Sequence, residues 1–309
     1  MKIIYMGTPD FAVFPLEKLF EKKHNIPLVV SQEDKPKGRG KKLLPTPVKE
    51  KALELGLEVF QPQNINCEES IKKIGDIQPD FIVVAAYGQI LREEILSIPK
   101  YGCINIHASL LPKYRGAAPI NWVIINGESE TGITIMKMGR GLDTGDILLK
   151  ESIPITEEDD SVIIHDKLSN LGGNLIVKVL EGVKEGYIKP VEQDHSKATY
   201  ASMIHKKMGR INWNKSGVEI VNLIRGLKPW PFAYTFYNDV NVKIHKAKVI
   251  DKFKDGVNGQ IVKVTDEGVF VNTKDSCVVV EELQFPGKRK MQVSEFIKGN
   301  NLEVGIVLE

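Results

Sequence analysis

The run Asp80–Tyr87, D-F-I-V-V-A-A-Y, limits the folds open to this chain more than any other feature. A strand with one wet face alternates polar and apolar side chains, whereas a strand buried on both faces reads as an almost unbroken apolar stretch. A membrane span would need roughly 20 apolar residues, far more than are present here. The run therefore reads as an inner strand of a parallel sheet with helices on both faces, and its surroundings agree. Strand-like segments at Lys2–Met6, Leu28–Ser31, Cys103–Ala108, Gly132–Met138 and Asp146–Ile153 alternate with helical patterns at Phe11–Lys22, Thr46–Leu55, Ala118–Asn126 and Ser161–Glu181. This alternation specifies an α/β architecture, a doubly wound and mostly parallel sheet that takes its ligands beyond the carboxyl ends of its strands.

From about Gly186 the texture changes. Residues 189–205 lack a sustained period and read as a linker between a first domain, 1–188, and a second, 206–309. Past a helical segment at Ser216–Arg225 the second domain is built of short β-rich runs, Val242–Val249, Gly259–Val264, Gly268–Val271 and Cys277–Leu283. The dipeptides Asp255-Gly256 and Asn258-Gly259 are strong turn signals, and a small β-barrel is expected. A length of 309 residues suits two domains of roughly 150 each. Cys67, Cys103 and Cys277 show none of the paired spacings of zinc sites or disulfide frameworks, so no metal is expected. The first residues pass directly into a strand pattern without an apolar signal core, which leads us to expect a cytoplasmic protein, with nothing demanding more than a monomer.

Polar chemistry gathers at one strand end. Asn105 and His107 are two apart, so on a strand both point to the same face. An amide can hold a developing oxyanion while an imidazole moves a proton, the pair of tasks acyl transfer requires. About thirty-five residues on, M-G-R-G-L-D-T-G-D places Asp143 in a glycine-punctuated loop able to turn back toward the strand end and orient the imidazole. Tyr87-Gly88-Gln89-Ile90-Leu91 leads off the adjacent strand and could line a pocket there. Between Lys35 and Lys42 five of eight residues are basic and none is acidic. With a net charge of only +2, attraction to nucleic acid would have to come from such local clusters. The first strand ends in G-T-P-D-F and lacks the G-x-G-x-x-G of a dinucleotide-dependent oxidoreductase, and a purely RNA-binding module would leave Asn105, His107 and Asp143 without a task.

The segments N-I-H-A-S-L-L-P at 105–112, Y-R-G-A-A-P-I at 114–120 and G-L-D-T-G-D at 141–146 resemble the folate-dependent formyltransferases. The opening Met6-Gly7-Thr8-Pro9-Asp10-Phe11 and the stretch K-G-R-G-K-K at 37–42 are similar to the branch of that family that formylates methionyl-tRNA. The resemblance implies a Rossmann-like first domain, an OB-like second one, Asn105, His107 and Asp143 as the catalytic set, and 10-formyltetrahydrofolate as co-substrate. It places Ser109, Leu110, Leu111 and Pro112 on the folate and makes Tyr87, Gly88 and Leu91 its expected pterin pocket. The implied acceptor is methionyl initiator tRNA, with Lys37, Arg39, Lys41, Lys42, Lys206 and Lys207 as expected tRNA contacts. A small amine such as glycinamide ribonucleotide or an aminosugar is the alternative acceptor, and the basic stretch and β-rich tail argue against it.

Overall fold

The computed structural model describes residues 1–37, 42–251 and 256–309. The chain forms two compact units, one of residues 1–116, 131–153 and 165–201, the other of 117–130, 154–164 and 202–309.

The first unit is organised around seven strands: β1 (Lys2–Gly7), β2 (Asn25–Val30), β3 (Val59–Phe60), β4 (Phe81–Ala85), β5 (Cys103–His107), β6 (Glu130–Lys137) and β7 (Ile147–Pro154). Their order is β7-β6-β5-β4-β1-β2-β3. Strands β1 to β5 pair in parallel and β6 runs antiparallel to β5, so the sheet is doubly wound and mostly parallel. Every residue of β4 is buried, as its apolar run requires. The strand order reverses between β1 and β4, the point at which such sheets open a crevice beyond their carboxyl ends. The ends are tied there: the Thr8 hydroxyl donates to the Tyr87 carbonyl (2.8 Å) and accepts the Gln32 N–H (3.3 Å). The helix Pro47–Glu54 starts where Thr46 accepts the Lys49 N–H, with proline at its first position, a cap worth about 1 kcal/mol. An amphipathic helix at Glu68–Ile77 and a ribbon pairing Lys35–Lys37 with Lys42–Leu44 add to the elements the periodicity specifies.

In the second unit β8 (Ala233–Tyr237), β9 (Val240–Ile250), β10 (Ile261–Thr265), β11 (Gly268–Asn272) and β12 (Cys277–Gln284) form an antiparallel sheet in the order β8-β9-β12-β11-β10. The last residues close it. Glu309 exchanges two backbone hydrogen bonds with Phe236 of β8, while Gly305 and Ile306 bond to Ile261 of β10. Trp213, Val242, Ile244, Val271, Val278 and Leu308 are among the buried residues of the resulting core. The helix Gly217–Gly226 begins in a capping box between Ser216 and Glu219 and packs on the helix Pro119–Ile125. Gly226 permits that approach, since a Cβ there would lie 2.5 Å from Ile125 Cγ1 and 3.0 Å from the Asn121 carbonyl. Burial pushes the thiols of Cys103 and Cys277 up to about 12 and about 11. Among the described residues no helix is long and apolar enough to cross a membrane.

Candidate active site

Strand β5 delivers Asn105 and His107 to the carboxyl end of the sheet, Asn105 opposite Val84 and Met136, His107 opposite Thr134. Asn105 is partly exposed, and its side-chain amide has no hydrogen-bond partner among the described residues. His107 is buried, and its Nε2 lies 3.0 Å from the Tyr114 carbonyl. A carbonyl oxygen only accepts, so Nε2 carries a proton, and in the neutral ring Nδ1 is left as an acceptor. Tyr114 reaches that place because the intervening loop is tightly folded. The Ser109 hydroxyl donates to the Lys113 carbonyl (2.7 Å), the Thr134 hydroxyl donates to the Ser109 carbonyl (2.7 Å) and accepts the Leu111 N–H (3.0 Å), and Tyr114 itself takes a left-handed conformation (φ +60°).

The glycine-rich loop returns as its sequence suggests. Asp143 Oδ2 lies 3.7 Å from His107 Nδ1 and accepts the Gly116 N–H at 2.8 Å. That separation is too long for a direct hydrogen bond, so the Tyr114 carbonyl holds the ring while Asp143 faces its free nitrogen. Gly145 has to be glycine, because a Cβ would collide with the Lys137 carbonyl. Asp143 sits at φ +50°, sparsely populated by non-glycine residues. Two buried side chains that sequence reasoning gave no role support this geometry. Gln193 Nε2 donates to the carbonyls of Asp143 (2.8 Å) and Gly145 (2.6 Å), and its Oε1 accepts from Arg115 Nε (3.2 Å) and Nη2 (2.7 Å). Gln193 lies in a stretch without period, so no pattern could have marked it; Arg115 stands inside a motif that carries the family likeness, a signal that was available.

The other sequence-selected residues fall into distinct environments. Ser109 and Leu111 are fully buried, with the Ser109 hydroxyl already engaged, whereas Leu110 and Pro112 are partly open. Tyr87 and Leu91 belong to an apolar cluster with Met6, Val30 and Val84, in which the Tyr87 hydroxyl is buried without a partner. Burial raises the Tyr87 phenol well above its ordinary pKa. Gly88, at φ +93°, is exposed, and a Cβ there would touch Gln32. Lys37 and Lys42 pair across the ribbon, while Arg39 and Lys41 lie outside the described residues. Lys206 and Lys207 are exposed on a short 3-10 turn.

An amide unpartnered among the described residues, a buried imidazole and a carboxylate at the carboxyl end of β5 in a doubly wound sheet suit a transferase that moves an acyl-type group. The family model described as formyl transferase matches residues 1–180, and that described as formyl transferase, C-terminal domain, matches 203–301: the chain belongs to the formyl transferase family. It is 51% identical over 310 residues to a methionyl-tRNA formyltransferase of Clostridium acetobutylicum and 50% identical over 308 residues to one of Clostridioides difficile, covering the whole of both chains in each case. Among solved structures it is similar in fold to an N-formyltransferase from Helicobacter canadensis in complex with folinic acid and dTDP-3-aminofucose (TM-score 0.67, 20% identity, 91% of this chain and 98% of that one). HypX from Aquifex aeolicus in complex with tetrahydrofolic acid gives a TM-score of 0.66 at 16% identity, over 97% of this chain and 47% of that one.

Proposed function

We propose that this chain transfers a formyl group from 10-formyltetrahydrofolate to the α-amino group of methionyl initiator tRNA in the cytoplasm. The observation that carries the reading is the pairing of a free Asn105 amide with two proton acceptors, His107 Nδ1 and Asp143 Oδ2, 3.7 Å apart at the same strand end. Full-length identity near one half to methionyl-tRNA formyltransferases supports the choice of acceptor.

The residues fit a flat folate. Leu110 and Pro112 offer partly open apolar surface, Gly88 an exposed backbone without a side chain, and the Tyr87 hydroxyl an unused hydrogen-bonding group beside it in sequence. When bound, the folate supplies the one-carbon formyl group. Asn105 then donates to the formyl oxygen as charge develops there, an interaction worth about 2.7–4 kcal/mol at comparable sites. The attacking amine has to be neutral, and a peptide α-amine with a pKa of about 7.7–8.0 is partly so near neutrality. The proton it sheds finds His107 Nδ1 and Asp143 Oδ2 on one side, and as the bond from the formyl carbon to the folate nitrogen breaks a proton passes to that nitrogen, so that tetrahydrofolate leaves. Residues 1–188 serve as the catalytic domain and 206–309 as the tRNA platform, with Lys37, Arg39, Lys41, Lys42, Lys206 and Lys207 on the phosphate backbone.

Single-turnover formylation of charged initiator tRNA, free methionine, glycinamide ribonucleotide and an aminosugar nucleotide tests this. Initiator tRNA should be preferred by orders of magnitude in kcat/KM; a preference for either small amine would overturn the proposal.

A further inference from the structure

We infer that Gln193 is a positioning residue that seats Asp143 against His107, an inference that rests on the function proposed above. Its primary amide offers two N–H donors and two acceptor lone pairs, and all four are used. The donors grip the carbonyls of Asp143 and Gly145, on either side of Thr144. The acceptor takes a fork of two bonds from the guanidinium of Arg115, which is itself only 2% exposed. Arg115 immediately precedes Gly116, the residue whose N–H holds the Asp143 carboxylate, so backbone and side chain of Asp143 are pinned by one closed circuit. His195 Nδ1 accepts a further bond from Arg115 Nη2 at 2.9 Å, and residues 200 and 201 pair in parallel with 115 and 116. A left-handed aspartate is disfavoured in isolation and persists only where its surroundings over-determine it. Gln193 supplies that constraint from 50 residues away in sequence, without touching either His107 or Asn105 through any bond described above.

Gln193→Glu is the informative change. It keeps the size of the side chain and strengthens the bond to Arg115, yet it sets a carboxylate oxygen against two carbonyl oxygens and releases the loop. Single-turnover formylation of methionyl-tRNA by the full chain should slow at least fivefold, with the KM for the folate donor changed less than threefold. In an Asp143→Asn background the same substitution should change the residual rate less than twofold, because the group it positions is already gone. A merely structural role would lower the melting temperature and leave the rate per folded molecule within fivefold of wild type, or would multiply with Asp143→Asn; either result overturns the inference. Should the Gln193→Glu protein fail to fold, Gln193→Met in the same cycle decides by the same criteria. Wild-type protein without any transfer to methionyl-tRNA would overturn the functional reading and this inference with it, whereas active wild type beside an indifferent Gln193 variant overturns this inference alone.

Discussion

Asn105 and His107 stand two residues apart on one strand, yet their side chains are held in opposite ways. The Asn105 amide has no hydrogen-bond partner among the described residues, while the His107 ring is buried and bonded to the Tyr114 carbonyl. Asn105→Ala should therefore cut kcat by about 10²–10³, the usual loss of one well-placed donor, while thermal melts move by no more than a degree or two. His107→Ala should lose both activity and stability, since it also leaves a cavity and removes a buried hydrogen bond to the Tyr114 carbonyl; about 0.5–1.5 kcal/mol of unfolding free energy in a urea titration is expected for that bond alone. An equal stability loss in the two variants would contradict this division. The period of a strand was enough to put Asn105 and His107 on one face, because that inference needs only neighbouring residues. The contacts of Gln193 and Thr134 with the loops at 109–116 and 143–145 depend on how distant segments meet, which no local pattern encodes.

At the scale of elements, the junction of the β1 loop with the long helix Ser161–Glu185 carries a pH-dependent contact. His165 Nδ1 lies 2.9 Å from Asp166 and its Nε2 3.6 Å from Asp10, with the Phe11 ring edge-on at 5.6 Å. The nearby Asp10 carboxylate, aided by Asp166, raises the imidazole above its ordinary value, and the imidazole in turn holds the Asp10 carboxyl below its own. A raised histidine stabilises fully below its unfolded pKa of about 6.5 and loses that share as pH rises through the folded value. A lowered carboxyl stabilises above its unfolded pKa of about 3.9 and loses that share as pH falls through the folded value. The contact is thus strongest between about pH 4 and 6.5. Asp10 is 77% exposed, so solvent keeps the effect small. The difference in melting temperature between wild type and His165→Gln should be largest near pH 6 and shrink toward pH 8.5; a constant difference would mean that the loss is one of packing. The buried strands were legible from their composition. The antiparallel course of β6 and the pairing of Lys35–Lys37 with Lys42–Leu44 were not, because direction and pairing are set by partners rather than by apolar period.

For the molecule as a whole, the closing residues matter more than their length suggests. Removing Gly305–Glu309 would strip backbone bonds from Phe236, Gly259 and Ile261, each worth about 0.5–1.5 kcal/mol net, and would expose the core around Leu308. A truncated chain ending at residue 304 should melt well below wild type in calorimetry, and retention of the wild-type transition would show that β8 and β10 do not need the closure. The interleaving of the two units has a different kind of consequence, one of timing during synthesis. The helix Pro119–Ile125 leaves the ribosome long before the helix Gly217–Gly226 on which it packs, and at roughly 5–20 residues per second the wait is about five to twenty seconds. The Asn121 amide and the Ile125 side chain, which meet Gly226 in the folded protein, lack that partner for the interval, a natural moment for a chaperone to engage the nascent chain. A nascent chain of 190 residues already contains Asn105, His107 and Asp143, yet Gln193 has not been added and its bonds to the Asp143 and Gly145 carbonyls are missing; a seated Asp143 has to wait for a residue made well after the catalytic set.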